Sequence, residues 1–386
     1  MAAIDQPVTT LSDTTAQIRV ISDYIFNIDP MDTPVIARLG LSSAREKFRL
    51  DIQRERGSTK IELLEDTYHP LTTTMNNGTT VSTSTLSFTV TDASLLQDGH
   101  VILVDSEYMV ISAVNVTTNT ITVDSRAYGG TNATHATGAT ISIVGMARKE
   151  GDDADYVGLT TLSAPYNYTS IFEKALQVTG SQNAMGQYGK PSGEYEYQVE
   201  KAVPELSRWM ELMFFHGQRR LRTASVSSSM GGVGTYVTSN SSSISTTITK
   251  VSIDTVAQAI YDDGGMPDVF ILPTVGAGNL HTLIDTSSFV NITQENTMFG
   301  MRPLVTINTQ FFDSLRVLTS RFCPPKKAWM LDSSKIGFFD YRPLFEQQIA
   351  ISGDSKKSEV IGEYSLLVAN GGTGHGFITT SNSAGL

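Results

Sequence analysis

With 386 residues, 40% of them hydrophobic and 17% charged, the chain is too apolar to stay disordered and too long for one small core, so roughly two to three folding units are expected. Its single cysteine, Cys323, excludes a disulfide framework and any cysteine-rich metal site. The formal net charge of −11 opposes a dedicated nucleic-acid-binding surface and leaves room only for weak local contact with DNA.

The opening MAAIDQPVTTLSDTTAQ has neither a basic leader nor an apolar run of signal-peptide length, and no stretch approaches ~20 apolar residues. Secretion and membrane insertion are therefore disfavoured, and a reducing cytoplasm is the expected place of synthesis. Pro30 and Pro34 in DYIFNIDPMDTPV predict an extended arm. From Ala44 to Lys60 the charges alternate in sign, and Phe48, Leu50 and Ile52 recur at period two, which predicts a strand ribbon.

Composition shifts near Thr72, and residues 74–147 read as an all-β insertion with short β-branched runs at VILVD, YMVISAV, TITV and ATISIV. Turns are predicted at Asp98-Gly99, Thr118-Asn119 and Gly129-Gly130, and the even spacing favours a barrel or sandwich. After an acidic loop, EGDDAD, the segment YNYTSIFEKALQVTGS reads as the return of the outer ribbon.

The longest predicted helix lies between Ser192 and Gly217, with Val199, Val203, Leu206, Met210 and Met213 forming its apolar stripe. Ser192 is the expected N-cap, Gly217 the expected stop, and Pro204 an interior bend. Serine-rich turns then lead to an α/β stretch: IDTVAQAIYDDGG as a helix ending at Gly264-Gly265, PDVFILP as a buried strand and AGNLHTLID as a second helix. TINTQFF, LRVLTS, AWMLD, FEQQIAI, EYSLLVAN and HGFITT are the closing strands.

Chemistry has few footholds. His69, His100, His135, His216, His281 and His375 show no metal-ligand spacing and read as surface or hydrogen-bonded structural residues. VFILPTVGAGNLHTLI imitates a dinucleotide-binding turn, but His281 occupies the third glycine position and Pro273 lies inside the turn. Glu150, Asp152, Asp153 and Asp155 lack the EF-hand spacing and read as a solvated loop rather than a calcium site. Cys323 reads as a small buried side chain.

The basic run HGQRRLR, His216 to Arg222, suits a helix C-terminus better than a phosphate site. The Asn-x-Ser/Thr triplets at Asn132 and Asn167 read as products of composition. No catalytic, cofactor-binding or metal-binding residue is assigned, no cofactor is expected, and the chain is not read as an enzyme.

Arg321, Pro324, Leu331, Asp332, Arg342, Pro343, Gly353, Asp354, Glu363, Leu366, Val368 and Asn370 form an ordered string over residues 301–386. That string resembles the C-terminal part of the tailed-phage major capsid family with the Hong Kong ninety-seven type fold. DYIFNIDPMDTPV is similar to the family's N-terminal arm, and TSIFEKALQVTGSQNAMGQYG to its junction of extended loop and spine helix. The insertion, with its Gly-Gly-Thr…His-Ala-x-Gly-Ala stretch, looks like a β-module of phage structural proteins. Pro204 departs from the smooth family helix, and the tryptophan expected near Ile61 is absent.

The resemblance implies an α+β capsid subunit. Its expected parts are an N-terminal arm (1–43), an extended loop (44–73 and 148–178), an inserted β-barrel-like domain (74–147), a peripheral domain with the long helix (179–230 and 325–386) and an axial domain (231–324). It further implies self-assembly into hexamers and pentamers of an icosahedral head enclosing double-stranded DNA, with portal, scaffolding or decoration proteins as partners and no membrane. A bacterial nanocompartment shell with the same fold is the alternative, and a β-rich glycan-binding or adhesin protein a more distant one.

Overall fold

The computed structural model describes residues 33–41, 43–48, 58–151, 160–185, 190, 192–284, 290–297, 300–312, 314–350, 353–382 and 385–386. The expected arm over residues 1–32, the Leu50 and Ile52 positions of the ribbon, and Asp152, Asp153 and Asp155 of the acidic loop lie outside them.

Helix α1 (Pro34–Leu39) begins on a proline. A first helical position needs no amide donor and suits the fixed φ of proline, so Pro34 starts a helix where an extended arm was expected. Helix α2 (Ser43–Lys47) replaces the start of the expected ribbon strand. Packing decides this: Ala44 is fully buried, and a Cβ on Gly337 would lie 2.7 Å from its nitrogen, so the helix turn rests directly on strand backbone. Phe48 then joins a small core with Ile61, Leu63, Phe339 and Leu367. Strand β1 (Lys60–Glu62) follows.

Leu64–Ala164 form a compact unit of their own. It contains β2 (Thr72–Thr74), β3 (Ser87–Thr89), β4 (His100–Val104), β5 (Glu107–Asn115), β6 (Thr120–Val123), β7 (Gly129–Gly130) and β8 (Thr140–Met146). The antiparallel order is β2-β8-β4-β5-β6-β3. The ends of that order also meet: Met75 bridges Val90, the Thr91 amide donates to Thr74 O and the Asn76 amide to Thr89 O, both at 2.9 Å. The sheet therefore closes into a barrel, and inward Ile102, Val104, Met109, Ile111, Ile121, Val123 and Ile141 fill it. Gly99 (φ 83°) and Asn119 (φ 49°) take the left-handed turns their sequence predicted. Gly129-Gly130 differs, forming β7 against β5 rather than a turn. Gly130 has φ 80° and sits where a Cβ would come 2.5 Å from Ser106 O, so glycine is needed for the pairing itself.

The second unit comprises the rest of the chain. β9 (Tyr166–Tyr168) pairs antiparallel with β1. Next come β10 (Ser170–Thr179), α3 (Gly180–Ala184), α4 (Glu194–His216), β11 (Ser241–Ile244), α5 (Lys250–Asp262), β12 (Val269–Leu272) and α6 (Thr274–Ile284). The strands β13 (Val290–Thr297), β14 (Gly300–Ile307), β15 (Leu315–Thr319), β16 (Lys327–Leu331), β17 (Ile336–Gln348), β18 (Ser355–Val368) and β19 (Gly376–Thr380) complete it. Two sheets result: an antiparallel β10-β18-β17, and a mixed β11-β19-β16-β12-β15-β14-β13. TINTQFF is strand only as far as Ile307; Thr309 then folds into a turn, its hydroxyl accepting from the Phe312 amide at 2.9 Å.

Helix α4 runs unbroken through Pro204 and stops at Gly217, whose amide donates to Met213 O. Its N-cap is Gly193, not Ser192, and no side chain caps it. The buried stripe is Tyr195, Ala202, Leu206, Met210, Phe214 and Phe215; Val203 is exposed because Ala202, one residue earlier, takes the inward position. From Ala202 onward this stripe packs with Phe172, Leu176, Phe338, Val360, Tyr364 and Leu366 from the three-stranded sheet.

Helix α5 begins with a reciprocal cap between Thr249 and Ser252. Thr249→Ala is expected to cost about 1 kcal/mol, read in a thermal melt as a drop of about 2–4 °C, with Thr249→Asn close to wild type.

Candidate assembly anchors and polar networks

Among the described residues no three His, Cys, Asp or Glu side chains cluster as metal ligands, and no helix is long and apolar enough to cross a membrane. The residues singled out in the sequence fall into structural positions. Cys323 is buried, its Sγ 3.3 Å from Lys327 O, and burial pushes its thiol far above the usual range. Asn167 is fully buried, which removes it as a glycan acceptor: its amide donates to Gly231 O (3.1 Å) and Leu366 O (2.6 Å) and accepts from Gly231 N (2.7 Å). It clamps β9 between a loop and β18.

The basic run disperses on folding. His216 lies in the last turn of α4, its Nε2 3.3 Å from Phe322 O. Arg219 lies 4.2 Å over the Tyr166 ring and donates to Tyr166 O at 3.0 Å. Arg222 lines an open cleft of about 610 Å³ with Ile171, Glu173 and the 223–228 loop.

The C-terminal string, by contrast, converges. Arg342 and Glu363 are register partners on β17 and β18, with Arg342 Nε 3.0 Å from Glu363 Oε2. The Thr169 hydroxyl donates to the other carboxylate oxygen at 2.5 Å. Glu363 is almost fully buried, so these partners offset its desolvation. Gly353 turns with φ 83°, and the Asp354 carbonyl accepts from the Gly180 amide at the start of α3. Asn370 adopts φ 53° and its carbonyl accepts from Thr373 and Gly374.

At the end of β16 the Asp332 carboxylate accepts from the Ser334 amide (2.9 Å) and hydroxyl (2.6 Å), while its own amide donates to His375 Nδ1 at 3.1 Å. Asp268 accepts from the Ser333 amide and hydroxyl, each at 2.6 Å, and from Arg38 at 3.1 Å. Lys47 of α2 donates to Ser333 O (2.6 Å) and Ile336 O (2.7 Å). The roots of both N-terminal helices are thus fastened where β16 passes into β17. Burial lowers the Lys47 ammonium, with Asp268 opposing the shift.

The barrel holds a second network that sequence reasoning missed. Glu107, fully buried at the start of β5, accepts both arms of Arg126 (2.9 and 2.7 Å) and the amides of Ala127 (2.8 Å) and Ala133 (3.0 Å). His135 lies between carboxylates, with Nδ1 2.7 Å from Asp105 and Nε2 3.0 Å from Glu107. Burial alone would raise the Glu107 carboxyl, but the hydrogen bonds from Arg126, the two amides and His135 outweigh it and hold the pKa at about 2. The Gly-Gly-Thr…His-Ala-x-Gly-Ala stretch is the chain that wraps this carboxylate. Both networks fix backbone in place.

A family model described as SU10 major capsid protein matches residues 8–382. Among solved structures, the chain is similar to the Cyanophage A-1(L) capsid at 9% identity, TM-score 0.55, covering 96% of this chain and 99% of that one. The capsid of a native GTA particle gives 8% identity and TM-score 0.53 over 98% and 99% of the two chains. Microbacterium phage Oxtober96 gives 10% and 0.50 over 97% and 100%. At such identities the likeness concerns the fold, and its coverage takes in the inserted barrel as well as the two sheets. No curated protein matches the chain by sequence.

Proposed function

The chain belongs to the SU10 major capsid protein family and is a structural subunit of a tailed-phage head; from that premise we propose that its copies close the icosahedral shell as hexamers and pentamers around double-stranded DNA. The observation that carries this reading is the family match over residues 8–382, which leaves neither compact unit outside it. Closed shells need several contacts per subunit that close by symmetry, and arms and ribbons supply contact area without a large core. In this reading α4 and the three-stranded sheet form the peripheral part and the seven-stranded sheet the axial part, which assigns β16 and β19 of the expected peripheral span 325–386 to the axial part and β10 of the expected extended loop to the peripheral part. Helices α1 and α2 anchor an arm that reaches a neighbour. Portal, scaffolding or decoration proteins are the further partners, and DNA contact is weak and non-specific, in keeping with the net charge of −11. Size-exclusion chromatography with electron microscopy tests it: closed particles are expected, and only monomers or small dimers across several salt and pH conditions would overturn it.

The barrel is proposed as an outward-facing accessory that shell closure does not require. Its core draws only on its own residues, and the chain leaves and re-enters the main unit through one antiparallel pair, with Leu63 N donating to Pro165 O at 2.9 Å. Replacing residues 64–164 by a short Asn-Gly turn closes β1 and β9 into a hairpin. Particles are expected to form from that shortened chain, as counted by electron microscopy. A soluble, folded product that never assembles would show that the barrel takes part in closure.

A further inference from the structure

We infer that His375 is a proton-sensitive pin that locks the two sheets of the shell-forming unit to one another and loosens them when it takes up a second proton. The chain passes between the three-stranded and seven-stranded sheets at two short connections: Asp332–Lys335 from β16 to β17, and Ala369–His375 from β18 to β19. The His375 ring joins one connection to the other. Its Nδ1 faces the Asp332 amide at 3.1 Å, and its Nε2 lies 3.1 Å from Ala369 O. Because a backbone amide can only donate, Nδ1 must be the acceptor, and the hydrogen sits on Nε2 and goes to the Ala369 carbonyl. The Ala369 amide donates in turn to Lys335 O at 2.9 Å, so the two connections form one hydrogen-bonded knot.

A second proton has only Nδ1 to occupy. It would set N–H against N–H, and the Asp332 bond would have to open. His375 is fully buried, so the cation finds no water. The charged groups around it are mixed. Asp332 and, beyond it, Asp268 would attract the proton, and Lys335, 3.6 Å from the Asp332 carboxylate, opposes it. Lys47 from α2 and Arg38 from α1 lie one bond further out, on Ser333 O and on Asp268. From the loop before β11 comes the neutral Asn240, bonded to Thr373 O and His375 O. Burial dominates this balance and lowers the imidazole to about 4, with the hydrogen bond to Ala369 and the Asp332 charge working against it.

The sign follows from linkage. A histidine lowered in the folded state binds its proton more readily once the knot is open, so closure is fully favoured above the ordinary value near 6.5 and weakens as pH falls from there towards about 4. Between pH 7 and pH 5 the opening equilibrium is expected to rise about twentyfold. The same opening would free Ser333 and Ile336, on which Lys47 holds the root of the N-terminal arm. Sheet orientation and arm anchorage are therefore released together.

Hydrogen exchange on the full-length chain at pH 7 and pH 5, corrected for intrinsic rates, tests the inference. Peptides covering Asp332–Lys335 and Ala369–His375 are expected to lose protection about twentyfold, while the buried β12 strand keeps its own. In His375→Asn the ratio between the two pH values should fall to near one, whatever the absolute rate. pH 5 lies above the range in which Glu107 gains a proton, so that buried carboxylate does not contribute, while His100 of the barrel, also lowered by burial, lies outside the peptides followed. A wild-type ratio near one overturns the proposal even if the variant fails to fold, and so does a ratio that persists in the variant. The part this pin plays in a shell rests on the capsid reading, whereas the exchange ratio holds for unassembled chain too, so the two fail separately.

Discussion

Arg126→Ala is expected to unfold the barrel while the rest of the chain keeps its structure. Every guanidinium N–H is used: two on Glu107, and the others on Ser82 O (2.5 Å), Thr85 O (3.1 Å) and Ala133 O (2.6 Å). Removing one partner of a buried ion pair costs about 3–5 kcal/mol, because the remaining charge stays desolvated. For a unit of this size that is a large fraction of the ~5–15 kcal/mol that holds a domain folded. Lysine cannot reproduce the planar fork, so Arg126→Lys should recover only part of the loss. Limited proteolysis is the measurement: cleavage within residues 64–164 should rise strongly, with the fragments of α4 and the two sheets still protected. Barrel protection equal to wild type would mean that the network is incidental. The same carboxylate sets an acid limit. With the folded value at about 2 and the ordinary value at 4.5, its contribution is complete above the latter and is lost as pH falls towards the former.

Phe214→Ala should have a comparable cost in the other unit. The ring is fully buried, edge-on to Phe215 at 5.0 Å and tilted against Phe338 at 6.1 Å, and it lies where α4 meets the three-stranded sheet. Deleting such a ring costs about 3–5 kcal/mol, most of it from lost burial and the cavity left behind. The cavity cannot collapse easily. Gly217 and Gly232 bring backbone directly onto the end of α4, with the Gly232 amide donating to Gly217 O at 2.9 Å, and a Cβ at Gly232 would come 2.6 Å from Phe214 O. Denaturant unfolding of the full-length chain should show a lowered midpoint for this unit, with barrel proteolysis unchanged.

Much of the fold was legible in the sequence because the deciding interactions are local. PDVFILP gave a strand with four buried residues, the β-branched runs gave the barrel staves, and Gly217 ended the long helix where a glycine should. Two of the misreadings share one cause, contact between distant segments. Ser43–Lys47 is helical because Ala44 meets Gly337, and Gly129-Gly130 is strand because Ser106 O approaches it. Neither distance can be read along the chain. Glu107 did leave a trace: it shares strand parity with Met109 and Ile111, and both of those face the barrel interior. A carboxylate in phase with core residues announces a buried charge and requires a cation, here Arg126. His375 left none, since its Asp332 partner is recognisable only once the two connections are side by side.

The ring closure at Met75–Val90 bears on crowding. An open sheet presents a row of unpaired amides and carbonyls that can template on an identical neighbour, and a shell holds many identical copies at very high local concentration. A closed ring offers no such row, so barrels packed together on one particle stay separate. Unpaired strand edges belong instead to the other unit, at β10 and β17 and at β11 and β13. Among the described residues the chain thereby keeps its exposed strand edges in the unit outside the barrel.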